Sequence, residues 1–479
     1  PTNGINDATN LITLNNTGIA DQAGNTGTGT TDSNNYSIDT QRPTATIVVS
    51  DTQLRAGETS LVTFTFSEAV AGFTNADLSV ANGILSSVSS SDGGITWTAT
   101  LTPTNGINDA TNLITLNNTG IADQAGNTGT GTTDSNNYSI DTQRPTATIV
   151  VSDTQLRAGE TSLVTFTFSE AVAGFTNADL SVANGTLSSV SSSDGGITWT
   201  ATLTPTNGIN DATNLITLNN TGIADQAGNT GTGTTDSNNY SIDTQRPTAT
   251  IVVSDTQLRA GETSLVIFTF SEAVAGFTNA DLSVANGTLS SVSSSDGGIT
   301  WTATLTPTNG INDATNLITL NNTGIADQAG NTGTGTTDSN NYSIDTQRPT
   351  ATIVVSDTQL RAGETSLVTF TFSEAVAGFT NADLSVANGI LSSVSSSDVG
   401  ITWTATLTPT NGINDATNLI TLNNTGIADQ AGNTGTGTTD SNNYSIDTQR
   451  PTATIVVSDT QLRAGETSLV TFTFSEAVA

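Results

Sequence analysis

The sequence predicts an all-β protein, a tandem array of seven-strand β-sandwich domains with a 102-residue period. The first observation is that the stretch NNYSIDTQRPTATIVVS occurs five times, and its copies begin at residues 34, 136, 238, 340 and 442. The second is that apolar and polar residues alternate along short segments between turn signals, which is typical of half-buried β-strands. A period near 100 residues suits an independently folding domain better than a solenoid repeat.

Four whole repeats fit this period, with a partial domain at each end. The partial domains are residues 1–41, with the C-terminal strands, and residues 450–479, with the N-terminal strands. The whole repeats are residues 42–143, 144–245, 246–347 and 348–449. We expect a segment of a longer array, because Pro1 and Ala479 match positions inside a repeat. The alternative, in which the partial domains of two chains complete each other, would still lack a counterpart of residues 72–102.

Seven strands can be read from the first whole repeat. The segments are TATIVVS, SLVTFTFSE, DLSVANG, ILSSVSSS, GITWTATLTP, NLITLNN and NYSID. Asn82-Gly83 between the third and fourth is a hairpin turn signal. Seven short strands in about 100 residues indicate an immunoglobulin-like sandwich, here without the cysteine pair of antibody domains. The predicted inward residues include Phe64, Phe66, Ile95, Trp97 and Ile114, with Trp97 as the core anchor and Phe73 unassigned.

The few differences between repeats test this strand register. Thr165 becomes Ile267 one repeat later, and Gly93 corresponds to Val399. A Thr-to-Ile change inside a packed core would require repacking, so the side chains of Thr165 and Ile267 should both point outward. Val399 should lie in an exposed turn.

Composition excludes several classes of protein. The chain has no His, Cys, Met or Lys, and its formal net charge is −33. It therefore has no disulfides, no Lys–Asn crosslinks and no side chain suited to be a histidine base, thiol nucleophile or Schiff-base former, so we predict that it is not an enzyme. The acidic charge disfavours binding to nucleic acid, and no apolar run predicts membrane insertion in this segment.

Acidic residues are predicted to converge where one repeat follows another. Alternating strand directions bring Asp39 to the end of the next repeat that carries Glu68, Asp77 and Asp123. Four carboxylates repel one another, and Ca²⁺ takes six to eight oxygen ligands from such loops. Asn127 and backbone carbonyls could supply further oxygens. The sequence therefore predicts calcium sites formed by Asp39, Glu68, Asp77 and Asp123; Asp141, Glu170, Asp179 and Asp225; Asp243, Glu272, Asp281 and Asp327; and Asp345, Glu374, Asp383 and Asp429.

Three other interpretations of these acids remain open at this point. They could be ordinary solvated loop residues. Arg42 could neutralise Asp39 or Glu68 without a metal. The ligands could also lie at the opposite end of the domain, where the loops carry Asp51, Glu58 and Asp109.

The repeat resembles the bacterial Ig-like tandem repeats of giant type I-secreted surface adhesins and biofilm-associated proteins. The matching segments are AGETSLVTFTFSEAV, GITWTATLTP, GIADQAGN and NNYSIDTQRPTATI. The resemblance covers every repeat. It implies an extracellular protein of the bacterial cell surface whose repeats hold a terminal adhesive domain away from the cell.

The sequence thus predicts an extracellular structural stalk, and the junction between repeats supports this. The junction has no glycine, and Pro43 restricts its own backbone and that of Arg42, which favours a stiff connection. The expected partners are neighbouring repeats of the same chain, with other copies of the array as a further candidate. The alternative function is that the repeats themselves bind a glycan, another cell's array or ice, or self-associate into a filament.

Overall fold

The computed structural model describes all residues, Pro1–Ala479. They form two compact units, Pro1–Gln245 and Arg246–Ala479. Each unit contains two whole repeats and one of the partial domains, and all four whole repeats have the same strands. The only helices are 3₁₀ turns of three residues, so the all-β prediction is confirmed. None of them has the length and apolar character needed to cross a membrane.

The strands of the first whole repeat are numbered here β1 to β13. Their bounds are Ala45–Val49 (β1), Gln53–Arg55 (β2), Ser60–Phe66 (β3), Val70–Ala71 (β4), Leu78–Val80 (β5), Gly83–Leu85 (β6), Ser89–Ser90 (β7), Thr96–Pro103 (β8), Asn108–Asn112 (β9), Ile114–Asn117 (β10), Ala122–Asp123 (β11), Thr132–Asp134 (β12) and Tyr138–Asp141 (β13). The 3₁₀ turns are Asn75–Asp77 and Asn118–Gly120. All of these elements recur at intervals of 102 residues through the fourth repeat, which ends with Tyr444–Asp447.

The partial domains contain only some of these strands. Residues 1–41 form Asn6–Asn10, Thr13–Asn15, Thr30–Asp32 and Tyr36–Asp39, with a 3₁₀ turn at Asn16–Gly18. Residues 450–479 form the antiparallel pair Ala453–Val457 and Val470–Phe474.

Each whole repeat is a sandwich of two groups of strands, and β4 and β11 form a separate antiparallel pair. One group is an antiparallel sheet in the order β6-β8-β3-β1, with β7 also paired to β8. The other consists of β9-β13-β2 and β12-β10-β5. In this second group β2 runs parallel to β13, whereas the remaining pairs are antiparallel. The short polar strands β2, β9 and β12 are absent from the sequence prediction, because three to five mostly polar residues carry no clear alternation.

The inward side chains of both groups form one core in each repeat. In the first repeat Phe64, Leu101, Ile114 and Tyr138 are fully buried, and Phe66 is nearly so. Burying one such side chain stabilises the fold by about 1.5–3 kcal/mol. The predicted burial of Phe64, Phe66 and Ile114 is therefore confirmed.

Trp97 is not the centre of this core, contrary to the sequence prediction. Phe73 occupies that place and makes edge-to-face contacts with Phe64, Phe66 and Trp97 at centroid distances of 5.2, 5.2 and 5.4 Å. Trp97 is only partly buried, because its indole N–H needs an acceptor and donates to the carbonyl of Gly94 at the rim, 3.1 Å away. Ile95 is 43 % exposed, since the strand begins only at Thr96.

The positions that vary between repeats support the predicted register. Ile267 lies between the buried residues Val266 and Phe268 but faces the outer surface, where it pairs with Val252 and Thr302. Thr165 occupies the same position one repeat earlier.

Val399 is 84 % exposed and lies in a turn, as predicted. Its φ of 64° is in the left-handed region, where the corresponding Gly93 has a φ of 85°. A side chain there costs about 1–2 kcal/mol, so Val399 strains its turn.

Candidate metal centre

Three carboxylates from three different elements meet at the start of the first repeat. Asp39 ends the strand Tyr36–Asp39, Glu68 follows β3, and Asp123 ends β11. One oxygen from each lies within 4.8 Å of the others. The same arrangement forms within the first compact unit from Asp141, Glu170 and Asp225, and within the second from Asp345, Glu374 and Asp429. We call each set a carboxylate triad, and each could hold a metal ion.

The remaining predicted set is divided between the two compact units. Asp243 ends the strand Tyr240–Asp243 in the first unit, and Glu272 and Asp327 belong to the second. Asp327 is buried there and accepts hydrogen bonds from the backbone and side chain of Asn331, both 2.8 Å long.

Asp77 does not join the triad, although the sequence prediction included it. Its Oδ2 accepts hydrogen bonds from the backbone N–H and hydroxyl of Thr74, at 2.9 and 3.2 Å, and so caps the 3₁₀ turn Asn75–Asp77. The Thr-x-x-Asp spacing of a capping box was the signal that identifies this role. The corresponding predicted residues that cap their turns in the same way are Asp179, Asp281 and Asp383.

The protein environment acts in opposite directions on two members of the triad. Burial, followed by the charges of Asp123 and Asp39, raises the pKa of Glu68 above its ordinary value of 4.5. Burial also acts to raise the pKa of Asp123, but hydrogen bonds from Asn127, Ala125 and Gly126 outweigh it and hold that pKa below the usual range. Asp123 is therefore a well-stabilised anion beside a carboxyl group whose ionised form is disfavoured.

The pKa of the glutamate is raised at the other two triads as well. Burial and the two neighbouring aspartates raise the pKa of Glu170 and of Glu374. Burial, with a further contribution from Asp225, raises the pKa of Asp141.

The glutamates also carry an oxygen without a partner. Oε1 of Glu68, of Glu170 and of Glu374 is buried and accepts no hydrogen bond. A buried acceptor left without a donor costs about 1–3 kcal/mol, and more when it is charged. This oxygen therefore lacks a positive or hydrogen-bonding group that would compensate for its burial.

Arg42 does not supply that compensation. Its Nη1 donates to the carbonyl of Thr128, 2.7 Å away, in the loop that follows Asp123. Arg144 and Arg348 donate in the same way to the carbonyls of Thr230 and Thr434. The arginine holds the backbone of the acidic loop and makes no ion pair with Asp39 or Glu68.

The acids at the opposite end of the domain have local partners. Oδ1 of Asp51 accepts from the N–H of Gln53 at 3.0 Å, and Oδ2 of Asp109 accepts from the side chain of Asn82 at 2.9 Å. Glu58 pairs with Arg55 at 2.7 Å. They serve turns and a surface ion pair and do not form a triad.

Asparagine at the end of each DQAGN loop has a role that the sequence prediction missed. Asn127 was expected to offer an oxygen to a metal, whereas its Nδ2 donates to Oδ2 of Asp123 at 2.8 Å and to the carbonyl of Asp39 at 3.1 Å. One repeat later Oδ1 of Asn229 accepts from the backbone N–H of Ala56 at 2.7 Å. Nothing in the loop sequence identifies this partner, because it lies 173 residues away.

Comparison with known proteins assigns the fold of the repeat. A family model described as a bacterial Ig-like domain matches residues 1–38, 39–140, 141–242, 243–344, 345–446 and 447–479, and thus every residue. Its boundaries fall three residues before those of the repeats as numbered above. No curated protein sequence matches the chain.

The solved structures similar to the chain include two bacterial adhesins and a segment of titin. The chain is 12 % identical to FdeC, an Escherichia coli adhesin, over 63 % of this chain and 96 % of that one, with a TM-score of 0.26. For InvE, an adhesin of Yersinia pseudotuberculosis, the identity is 16 %, the coverages are 56 % and 74 %, and the TM-score is 0.18. For the I9–I11 tandem of titin the identity is 8 %, the coverages are 63 % of this chain and 98 % of that one, and the TM-score is 0.24. The assignment rests on the family model.

Proposed function

The chain belongs to the bacterial Ig-like domain family, and we propose that it is the extracellular stalk of a bacterial surface adhesin, stiffened by Ca²⁺ bound at the carboxylate triads. In this role the repeats hold an adhesive domain away from the cell surface and support attachment to other cells or surfaces, as in a biofilm. The repeats contribute length, solubility and stiffness rather than chemistry.

Repetition without variation supports a structural role. Each whole repeat carries nine acidic residues and two arginines, and neighbouring repeats differ at only a few positions. The chain also has no His, Cys or Lys, and so lacks an imidazole base, a thiol nucleophile and a Schiff-base former.

The arrangement of aromatic rings argues against the alternative of a ligand-binding repeat. Glycan and protein ligands are commonly bound on exposed aromatic faces. Phe64, Phe66, Phe73 and Tyr138 are buried, and Trp97 packs against the same core. A whole repeat therefore presents no fully exposed ring to a ligand.

The observation that carries the calcium proposal is the buried Oε1 of Glu68, Glu170 and Glu374, which has no hydrogen-bond donor and belongs to a triad of carboxylates. Two carboxylates about 5 Å apart repel by about 3 kcal/mol at an effective dielectric constant near 20. A bound cation removes this repulsion and also gives the oxygen a partner. The donors are all oxygen atoms, which favours a hard cation, and three protein carboxylates suit Ca²⁺ better than Mg²⁺, which keeps more of its water.

Small-angle X-ray scattering of the full chain, first with Ca²⁺ and then with EGTA, tests this proposal. With Ca²⁺ we expect a maximum dimension approaching about 40 Å per repeat, which follows from strands of about eight residues at ~3.3 Å each plus loops. EGTA should shorten it, because the repelling carboxylates let the junctions bend.

A matched pair of variants makes the test specific. Replacing Glu68, Glu170, Glu272 and Glu374 with Gln should abolish the response to Ca²⁺ while the repeats stay folded. Replacing Asp134, Asp236, Asp338 and Asp440 with Asn removes the same number of charges from exposed positions and should leave the response intact. A wild-type dimension that does not change on addition of EGTA would contradict the proposal.

A further inference from the structure

Two of the DQAGN loops also contact the preceding repeat of the same compact unit. In the first compact unit the backbone N–H of Ala56 donates to Oδ1 of Asn229 at 2.7 Å. Ala56 lies in the hairpin formed by the antiparallel strands β1 and β3, in the connecting loop that also contains β2. In the second unit Ala260 donates to Asn433 in the same geometry, also at 2.7 Å. The hairpin of one repeat, with the sequence QLRAGE, therefore receives the DQAGN loop of the next.

Asn229 connects this hairpin to the triad. Its Nδ2 donates to the carbonyl of Asp141 at 2.9 Å and to Oδ2 of Asp225 at 2.8 Å, while its Oδ1 holds Ala56. The side chain is only 2 % exposed. One amide thus binds the last strand and the hairpin of the first repeat to the metal-site loop of the second.

The residue before Asn229 makes this close approach possible. Gly228 has a φ of 93°, and a Cβ there would lie 2.6 Å from Nη1 of Arg55. Arg55 is itself held by Glu58 at 2.7 Å. Gly432 and Arg259 repeat this contact in the second compact unit.

A hairpin without a following loop provides an internal comparison. Residues 450–479 contain no counterpart of Asn229, so nothing corresponding faces the hairpin of the fourth repeat. Glu364 in that hairpin is exposed, whereas Glu58 and Glu262 are partly buried. The docked loop therefore covers part of the hairpin.

We propose that Asn229 and Asn433 are positioning residues that dock the second and the fourth repeat into the hairpin of the repeat before, and so assemble the carboxylate triad before an ion arrives. This inference rests on the proposed cation binding. Holding Asp141 beside Asp225 and Glu170 removes part of the ordering cost of ion binding. By linkage, an ion bound at the triad must strengthen docking by the same factor.

The rate at which trypsin cleaves the full chain measures this docking. The chain has no Lys, and five of its ten arginines precede proline, which trypsin does not cleave efficiently. The other five are followed by alanine, and each lies in a QLRAGE hairpin. The compared bonds are Arg55–Ala56 and Arg259–Ala260, which are docked, and Arg361–Ala362, which is not.

Without metal, in EGTA, we expect the two docked bonds to be cleaved about tenfold more slowly than Arg361–Ala362, because cleavage follows the population of open hairpin. N229A should raise the rate at Arg55–Ala56 to that at Arg361–Ala362 and leave Arg259–Ala260 unchanged. N127A is the matched control, because Asn127 has no preceding hairpin, and it should change none of the three rates. Equal cleavage of all three bonds in the wild-type chain, or no effect of N229A, overturns the inference.

Adding Ca²⁺ to the same digests separates docking from ion binding. We expect a further slowing at Arg55–Ala56 in the wild-type chain but not in N229A, with Arg361–Ala362 correcting for any effect of Ca²⁺ on trypsin itself. If the Arg55–Ala56 bond is protected in EGTA and Ca²⁺ does not increase the protection, docking by Asn229 is supported. Its coupling to an ion is then overturned, and the proposed calcium function is contradicted. If the Arg55–Ala56 bond is unprotected in EGTA but strongly protected in Ca²⁺, the calcium function is supported and pre-assembly by Asn229 is overturned.

Discussion

Residues 1–41 and residues 103–143 have identical sequences but different surroundings. Their strands pair in the same register and with the same irregularity, Asn6–Asn10 with Tyr36–Asp39 and Asn108–Asn112 with Tyr138–Asp141. Tyr36, however, is 41 % exposed, whereas Tyr138 is fully buried. Strand pairing in this segment is local, but its burial requires the sheet β6-β8-β3-β1, which residues 1–41 lack.

The acidic loop extends this comparison to three copies. Asn25 is exposed where there is neither a complete sandwich nor a preceding hairpin, and Asn127 is partly buried where the sandwich is complete. Asn229 is 2 % exposed where a hairpin precedes it as well. The same five residues thus become a surface turn, a domain loop or an inter-repeat contact, depending on which other parts of the chain are present.

The largest expected effect comes from the buried tyrosine. Tyr138→Ala should cost about 3–5 kcal/mol of unfolding free energy, because it leaves a cavity and removes the hydrogen bond from the hydroxyl to the carbonyl of Ala81. Tyr36→Ala is the same substitution in the same local sequence, and it should lower the free energy of unfolding by less than about 1 kcal/mol. In calorimetry of the full chain, Tyr138→Ala should shift one unfolding transition to a lower temperature, and Tyr36→Ala should leave the profile unchanged. Equal effects would mean that the segment is stabilised locally.

A glycine pair tests the contact between repeats. Gly228→Ala and Gly126→Ala place a Cβ at similar φ values, 93° and 91°, and both should cost about 1–2 kcal/mol from backbone strain. Only Gly228→Ala also displaces Arg55, since nothing lies within 4 Å of a Cβ at Gly126. Accelerated trypsin cleavage at Arg55–Ala56 is therefore expected in the first variant alone. If both variants accelerate it, strain rather than the contact controls docking.

The smallest expected effect is a change in calcium affinity with pH. Burial and the neighbouring aspartates raise the pKa of Glu170 and Glu374 above 4.5, so protons compete with Ca²⁺ as the pH falls towards that raised value. Isothermal titration calorimetry should show affinity a few-fold weaker at pH 5 than at pH 7. The Asp-to-Asn variant at Asp134, Asp236, Asp338 and Asp440 is the control, because it keeps the triad glutamates and should show the same dependence on pH.

In the metal-free chain, a lower pH should strengthen docking instead of weakening calcium binding. A raised folded-state pKa contributes stability that is fully present below the ordinary value of 4.5 and is lost as the pH rises through the raised pKa. In EGTA, docking should therefore tighten slightly between pH 7 and pH 5. A calcium affinity that is the same at both pH values would indicate that these glutamates are not ligands.

Much of the fold follows from the sequence by itself. Period-two alternation identifies β3 and β8, the 102-residue period identifies the repeats, and the Thr165/Ile267 exchange identifies the outward face of the strand. These features depend on contacts between neighbours along or across strands, and such contacts leave a pattern in the local sequence. The convergence of Asp39, Glu68 and Asp123 also follows, because alternating strand directions determine which loops share one end of a sandwich.

Only the tertiary structure decided which residues complete the core and the junction. Phe73 lies in an irregular segment, where no alternation indicates its direction, and it became the centre of the aromatic cluster. Asp77 has the same charge as the triad residues, but it caps a turn because Thr74 presents hydrogen-bond donors to it. Asn229 meets a backbone N–H 173 residues away, and its role depends on how two complete repeats contact each other rather than on any pattern within one of them.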